Sequence, residues 1–173
     1  GPQGRQIYDQ IKQTSSLIHS LYFINFRTET ILDAYNRSPI KTHYDQTLLT
    51  FLQDHTPSIA FYCGLPRWIS RGPKFASQRV FSLIIHTSKL GAIVVNIDCD
   101  AYEELIQLES SDYINILEAC GDGDVLISSD PELWGTNVND DDTYKKITER
   151  VSKTGYFLEG SGLLKNRVVY LHN

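Results

Sequence analysis

Methionine is absent from this chain of 173 residues, and cysteine occurs only three times. Cys63, Cys99 and Cys120 are odd in number, far apart and without a CxxC pair, which disfavours a disulfide framework and a structural zinc site. We expect them to be small buried residues. The sequence also has no run of 18 apolar residues and no signal-peptide pattern, so it predicts no membrane-spanning segment.

Clustered positive charge is missing as well. The formal net charge is −5 at pH 7, and the lysines and arginines do not form the basic stripe that a phosphate-backbone binder usually carries. The sequence therefore predicts no nucleic-acid partner for this segment. The first residues, GPQG, look like the remnant of a removed tag, so we expect the segment to come from a longer protein.

The first half of the chain alternates short apolar runs with turns. Residues 5–20 carry Ile7, Ile11 and Ile18 at helical spacing and predict an amphipathic helix. The elements predicted after it are a hairpin at 21–35, a polar excursion at 36–57 with a helix in its middle, a strand at 58–70 interrupted at Gly64–Pro66, a hairpin of strands 79–88 and 92–98, and a helix from about residue 99.

The second half partly repeats this order. Residues 114–130 predict a hairpin around an Asp-Gly turn, residues 142–154 a helix that ends before Gly155, and residues 156–173 a further hairpin. Two rounds of hairpin and helix are the element order of a PAS-like α+β unit, in which helices and loops cover one face of an antiparallel sheet. The second round stops after one hairpin, so we expect it to lack a last strand.

The run GAIVVNID at 91–98 ends on an amide and a carboxylate. Because side chains alternate along a strand, its two faces are Ala92, Val94, Asn96 and Asp98 on one side and Ile93, Val95 and Ile97 on the other. We expect the all-apolar face to lie against a core helix. The Asn/Asp face would form the floor and rim of a pocket roofed by residues 36–70.

A buried carboxylate needs a cation or several hydrogen-bond donors, so Asp98 either contacts a ligand or caps the helix that follows. Asn96 is either a pocket residue or a structural hydrogen bonder.

The segment FYCGLPRWISR adds aromatic rings and a forked cation beside the chain break. Arginine pairs carboxylates bidentately, and aromatic rings stack on sugars and amino acids, so Tyr62, Arg67 and Trp68 are candidate ligand residues. In the alternative, Trp68 packs into the core and Arg67 pairs with a surface acid. Tyr44 either closes over the pocket or packs at the edge of the core. His86 either points into the pocket or lies at a solvated edge.

Motifs for metal binding and catalysis are lacking. The five histidines form no HExxH pair, and no GxSxG or Ser/His/Asp arrangement is present. GDGD at 121–124 fits a hairpin turn, and the acidic run NDDD at 139–142 fits helix capping better than a calcium loop. We therefore predict no metal, no cofactor, no catalytic residue and no enzymatic activity.

The order of these elements, together with IHSLYFINFRTETIL, RVFSLIIHTSKLGAIVVNIDCDAYEELI and GDGDVLISSDPELWGTNV…GYFLEG, resembles the extracellular Cache sensor domains of bacterial transmembrane receptors. The likeness is to double-Cache modules of Gram-positive AraC-type transcription regulators and related sensor histidine kinases. It implies an α+β, PAS-like Cache fold with an N-terminal helix followed by antiparallel sheets. The segments implied are the end of a stalk helix (5–20), a membrane-distal unit (21–98), a connecting helix (99–106) and a membrane-proximal, truncated unit (107–173).

The resemblance also implies a function. A small solute (a sugar, an amino acid or an organic acid) would bind the distal unit, and the signal would pass down the N-terminal helix of a membrane-anchored, extracellular, helix-mediated homodimer. In amino-acid-binding members an Asp at this strand end holds the ligand's ammonium, and Asp98 falls at the matching position. Their Arg, spacer, Trp-Tyr pattern is not met at Arg67, Trp68 and Ile69. The alternative is the same fold as an interaction or dimerisation module without a small-molecule site.

Overall fold

The computed structural model describes residues 3, 6, 15–34, 36–55, 61–88, 90–107, 114–119, 123–128, 130–154, 156–159 and 167–172. The chain divides into two compact units, one of residues 1–62 with 67–98 and the other of residues 63–66 with 99–173. Most of the predicted N-terminal helix lies outside the described residues. In the described parts of the chain, no helix is both long and apolar enough to cross a membrane.

The first sheet has six strands within the described residues, and neighbouring strands for which the pairing is described run antiparallel. Its strands are β1 (Ile18–Asn25), β2 (Thr30–Asp33), β3 (Asn36–Pro39), β4 (Phe61–Ile69), β5 (Gln78–Ser88) and β6 (Gly91–Asp98), in the spatial order β3-β2-β1-β6-β5-β4. A 3₁₀ turn (Ile40–Thr42) and helix α1 (Gln46–His55) lie between β3 and β4. The predicted hairpins β1–β2 and β5–β6 and the predicted helix in the excursion are confirmed.

One face of this sheet, which we call the inner face, is nearly inaccessible to solvent. The register places Ser20 and Ser82 on either side of Asn96, so the three side chains point the same way. Its apolar members are each at most 5% exposed: Tyr22, Ile24, Ile31, Ile69, Val80, Ile84, Ala92 and Val94. Burying one such side chain contributes about 1.5–3 kcal/mol, so this face forms the main core of the first unit.

The inner face is the one that carries Asn96, contrary to the expectation that the all-apolar side of β6 is the more buried. Ile93, Val95 and Ile97 are only half-buried. The reason is the excursion between β3 and β4. Helix α1 buries Leu48 and Leu52, and the residues before it place polar side chains directly onto the inner face, as described below.

The second unit is also α+β. Strands β7 (Ile114–Ala119), β8 (Val125–Ser128), β9 (Tyr156–Glu159) and β10 (Arg167–His172) form a four-stranded antiparallel sheet in the order β8-β7-β10-β9, with helices α2 (Cys99–Gln107) and α3 (Asp141–Thr154). The two predicted hairpins and both predicted helices are confirmed. The fold class predicted from the sequence, an α+β fold of antiparallel sheets with helices, is therefore observed.

Three local features differ from the sequence-based expectation. Residues 18–20, predicted as the end of a helix, belong to strand β1. Strand β3 was not predicted, because Asn36–Pro39 is largely polar and exposed and pairs with β2 as an edge strand. The predicted interruption at Gly64–Pro66 is a bend within a continuous strand, where Leu65 takes a left-handed φ of 57°.

Candidate functional site

A buried ion pair joins strand β4 to the residue that precedes helix α1. Arg67 Nε donates to Asp45 Oδ1 at 2.8 Å, and Nη2 donates to Oδ2 at 2.6 Å. The Arg67 side chain is 6% exposed and that of Asp45 1%. Two parallel charge-assisted bonds of this kind have the geometry that the guanidinium fork favours. Asp45 therefore occupies the carboxylate-binding edge of Arg67.

Asn96 and Ser82 contact the same guanidinium, and Ser20 contacts Asn96. Arg67 Nη1 donates to Ser82 Oγ at 2.9 Å, and Nη2 also donates to Asn96 Oδ1 at 3.1 Å. Ser82 Oγ donates to Asn96 Oδ1 at 2.6 Å, and Asn96 Nδ2 donates to Ser20 Oγ at 2.9 Å. Since Asn96 is fully buried, this part of the inner face is a satisfied polar network under the excursion and not a hollow.

A second polar cluster lies beside the first and is built on Asp33 of β2. Tyr44 Oη donates to Asp33 Oδ2 at 2.5 Å and accepts from Tyr22 Oη at 3.2 Å. The backbone N–H of Asp45 donates to His43 Nδ1 at 3.2 Å, so the imidazole proton sits on Nε2, which donates to Asp33 Oδ2 at 3.3 Å. The adjacent residues 43–45 thus connect the two clusters.

These contacts change the acidity of the buried groups. Burial by itself raises the pKa of Asp33, but the hydrogen bonds from His43 and Tyr44 and the charge of Arg71 outweigh it and hold that pKa below its ordinary value. Burial, followed by the negative charge of Asp33, raises the pKa of Tyr44. Burial also raises the pKa of Tyr22. The cluster is therefore one carboxylate held ionised by hydrogen-bond donors and a nearby guanidinium.

A cleft of about 570 Å³ opens where β1 begins and β6 ends. It is lined by Ser15, Ser16, Ile18, His19, Ile69, Arg71, Phe75, Ala76, Gln78 and Asp98. A carboxylate and a guanidinium thus share one cleft with apolar walls and several hydrogen-bonding side chains. Small-molecule sites combine apolar surface with convergent polar groups that fix orientation, and this cleft has more polar than apolar side chains in its lining.

Arg71 connects the cleft to the second polar cluster. Its Nη2 lies 3.8 Å from Asp33 Oδ1, and its side chain is 34% exposed. Asp33 Oδ1 is buried and has no hydrogen-bond partner among the described residues. The pair is therefore close enough for charge attraction but too long for a hydrogen bond.

A wall of the cleft is also tied to the first network. His19 Nε2 lies 2.5 Å from Gln78 Oε1, and His19 Nδ1 lies 3.0 Å from Ser20 Oγ. Ser20 in turn accepts from Asn96. The orientation of His19 at the cleft is thus set by hydrogen bonds on both ring nitrogens.

The structure distributes the seven predicted ligand residues over several places. Asp98 lines the cleft, while Tyr44, Arg67 and Asn96 belong to the buried polar networks. The other three are Tyr62, whose ring centroid lies 4.5 Å from that of Phe51, Trp68, which is 61% exposed, and His86, which lies in β5 with a side chain outside the described residues.

Sequence reasoning missed Asp33, Asp45 and Arg71. Asp45 is 22 residues away from Arg67, and no local pattern indicates their pairing. Arg71 is the last residue of the segment FYCGLPRWISR, two residues after the end of β4. Its signal was a second arginine four residues beyond the first, in the loop that leads into β5.

Comparison with known proteins finds no matching protein-family model and no matching curated protein. Solved structures are similar. The ligand-binding domain of the Pseudomonas fluorescens chemoreceptor CtaA in complex with L-serine has a TM-score of 0.59 and 13% identity over 90% of this chain and 73% of that one. The extracellular domain of the histidine kinase rpHK1S-Z16 has a TM-score of 0.62 and 12% identity, over 100% and 78%.

A third similar structure is the ligand-binding domain of the Pseudomonas aeruginosa amino-acid chemoreceptor PctB in complex with L-Gln, with a TM-score of 0.57 and 10% identity over 91% and 69%. Identities this low establish the fold alone. The fold is the PAS-like Cache fold found in extracellular sensor domains of bacterial chemoreceptors and histidine kinases.

Proposed function

We propose that this chain is the extracellular ligand-sensing domain of a bacterial signal-transduction receptor and binds a small solute in the cleft of its first unit. The cleft carries the proposal, because it brings Asp98 and Arg71 together with apolar and hydrogen-bonding side chains in one volume of about 570 Å³. A solute of the size of an amino acid, a sugar or an organic acid fits this description. The fold it shares with domains solved with L-serine and L-Gln supports the same reading.

The wider architecture is part of this proposal. Residues 21–98 are the membrane-distal unit, 99–106 the connecting helix and 107–173 the membrane-proximal unit, and the chain before β1 ends a stalk helix that carries the signal. The full receptor is anchored in the membrane and dimerises through helices. Its output is an AraC-type transcription regulator or a sensor histidine kinase. Ligand can shift such a receptor only by its differential affinity for two states.

In this proposal Asp98 contacts the ligand directly and accepts hydrogen bonds from its ammonium or hydroxyl groups. Tyr44, Arg67 and Asn96 support the site from the buried networks beneath it. Tyr62, Trp68 and His86 are not among the residues that line the cleft, and their role as ligand residues stays a prediction.

A thermal-shift screen against sugars, amino acids, organic acids and nucleobases tests the proposal. A true ligand binds only the folded state and stabilises it by about 2.7 kcal/mol at one hundred times its Kd, so the melting temperature rises with dose. Asp98→Asn should abolish this rise. Asp54→Asn, at an exposed position of α1, is the matched control and should keep it. No dose-dependent rise with any compound of the four classes would refute the proposal.

One observation favours a protein-interaction module as the second candidate. Trp68 and Leu90 are 61% and 60% exposed and Ile85 is 41% exposed, and an interaction surface requires such side chains to form one contiguous apolar patch. Sedimentation velocity over a range of concentrations distinguishes the two. The interaction module predicts self-association that Trp68→Ser weakens, and it predicts no response to small solutes.

A further inference from the structure

We propose that Gln78 is a ligand-binding residue of the cleft and that its side-chain amide donates a hydrogen bond to an acceptor oxygen of the ligand. The direction in which this amide donates is fixed by a chain of hydrogen bonds that begins at the buried guanidinium of Arg67. The inference rests on the proposed function of the cleft. It assigns the ligand an acceptor oxygen, such as that of a carbonyl, an amide or a sulfoxide, and assigns that oxygen a binding residue.

The chain begins at Arg67 because a guanidinium can only donate hydrogen bonds. Its Nη2 lies 3.1 Å from Asn96, so the Asn96 atom that faces it is the acceptor Oδ1. Ser82 Oγ accepts from Arg67 Nη1 and donates to the same Asn96 oxygen at 2.6 Å. The amide nitrogen of Asn96 is therefore turned to the opposite side, where it donates to Ser20 Oγ at 2.9 Å.

Ser20 passes this direction on to His19. Ser20 is fully buried, and its hydroxyl oxygen accepts the bond from Asn96, so its own proton is left to donate. Among the described residues, the acceptor within reach is His19 Nδ1 at 3.0 Å. Because a buried hydroxyl proton without an acceptor is costly, Nδ1 accepts this bond and the imidazole carries its proton on Nε2.

His19 in turn orients Gln78. The Nε2–H group of His19 donates to Gln78 Oε1 at 2.5 Å, which leaves the amide nitrogen of Gln78 on the side away from the imidazole. Both residues line the cleft, and Gln78 is exposed. The N–H groups of the Gln78 amide can thus donate to an acceptor oxygen in the cleft.

The fixed direction makes the Gln78 amide selective. A glutamine amide can ordinarily rotate by half a turn and offer either a donor or an acceptor. Here the rotated amide would place its nitrogen against the Nε2–H group of His19, so that two donors would face each other. The ligand therefore meets donors at Gln78, and a ligand donor at the same place would be left unpaired. His19 is a positioning residue, because both of its ring nitrogens are engaged.

Nuclear magnetic resonance of the imidazole tautomers tests the chain without any ligand. Long-range ¹H–¹⁵N correlations of the histidine-labelled protein distinguish a proton on Nε2 from one on Nδ1, and His19→Gln identifies the signals of residue 19. We expect the Nε2–H tautomer in the wild type. Ser20→Ala should populate both tautomers, because Nδ1 loses its donor. The matched control, Ser82→Ala, removes the serine on the other side of Asn96 and should keep the Nε2–H tautomer, because Arg67 still orients that amide.

Isothermal titration calorimetry with paired probes tests the role of Gln78 in binding. One pair is L-methionine sulfoxide and L-methionine, and the other is 4-oxopentanoate and pentanoate. The first member of each pair has one additional acceptor oxygen and the same charge. We expect the wild type to bind the first member of at least one pair about tenfold more tightly, as a well-placed hydrogen bond allows.

Gln78→Glu separates ligand binding from a structural role. The variant keeps an acceptor for His19 but replaces the amide donors by a second oxygen, so it should abolish the preference for the first member. Gln53→Glu adds the same charge at an exposed position of α1 and should keep the preference. If Gln78 only supported His19, Gln78→Glu would change the affinities for both members of a pair equally and keep their ratio.

The results that would overturn the inference are distinguishable. A wild-type His19 with its proton on Nδ1, or on both nitrogens, contradicts the chain of hydrogen bonds. If Gln78→Glu keeps the preference, the residue assignment is wrong although the cleft binds its ligand. If neither pair shows a preference while another compound of the thermal-shift screen binds, the sensing function stands and the acceptor assignment fails. If neither the pairs nor the screen give binding, both the sensing function and this inference fail.

Discussion

Replacing Asp45 by alanine tests whether the buried networks support the inner face as the structure indicates. The Arg67 side chain is only 6% exposed. The substitution removes the acceptors of two short hydrogen bonds, so the guanidinium loses both bonds to Asp45 while it stays buried. Breaking a buried pair by removing one partner typically costs about 3–5 kcal/mol. Asp45 Oδ1 also lies 3.4 Å from the backbone N–H of Leu48 in the first turn of α1, and loss of such a cap adds about 1 kcal/mol.

The expected loss is therefore about 4–6 kcal/mol, a large part of the roughly 5–15 kcal/mol that stabilises an ordinary domain. Urea unfolding followed by circular dichroism measures it. Asp54→Ala, at an exposed position of the same segment, is the matched control and should change the free energy of unfolding by less than about 0.5 kcal/mol.

A double substitution shows whether the loss of unfolding free energy arises from the buried, uncompensated charge of Arg67. Asp45→Ala combined with Arg67→Met removes both charges, and replacing a buried ion pair by apolar residues is often neutral or stabilising. We expect the double variant to be more stable than Asp45→Ala alone. The reasoning is refuted if the free energy of unfolding of Asp45→Ala lies within about 1 kcal/mol of that of the control, or if the losses measured for the single variants Asp45→Ala and Arg67→Met add up to that of the double variant.

Two further predictions concern the stability of the fold in acid and the contrast between an exposed and a buried aromatic side chain. Because the pKa of Asp33 is held below its ordinary value of 3.8 in the folded protein, this group stabilises the fold above that pH, and the contribution is lost as pH falls through the lowered pKa. Asp33→Asn should therefore flatten the decline in unfolding free energy below about pH 4, as measured by urea unfolding at several pH values; an unchanged slope would contradict the assignment. Trp68→Ala should change the free energy of unfolding by no more than about 0.5 kcal/mol, because the ring is 61% exposed. Tyr22→Ala, at a fully buried ring, should cost about 3–5 kcal/mol in the same assay, and equal losses for the two variants would be inconsistent with the observed burial.

The part of the fold that the sequence predicts well is the part that depends on near neighbours. The strands 79–88 and 92–98 are short, mainly apolar runs around a short turn, and the structure shows them as the hairpin β5–β6. Strand β3 was not predicted because Asn36–Pro39 is largely polar and shows no apolar alternation. Its pairing with β2 uses backbone groups, which every residue type except proline supplies equally.

For the candidate site, too, the sequence predicts what depends on near neighbours and does not predict what depends on distant contacts. Alternation along β6 correctly places Asn96 and Asp98 on one face, since this follows from the pleat alone. It does not reveal that Asn96 is sealed under the excursion while Asp98 lines a cleft. Likewise, the sequence shows that residues 67 and 71 are both arginines. It does not show that Arg67 is buried in the polar network while Arg71 lines the cleft.

The amino-acid sequence by itself determined the succession of hairpins and helices, the α+β class and the face on which each β6 side chain lies, because these depend on spacing within a few residues. Only the tertiary structure decided that the inner face is the Asn96 side, that Asp45 pairs with Arg67 across 22 residues, and that Arg71 is the arginine at the cleft. The physical reason is that these outcomes depend on how the 36–57 excursion lies over the sheet. That placement is set by the summed burial of α1 and by the buried polar groups of residues 43–45, each of which must find partners far along the chain.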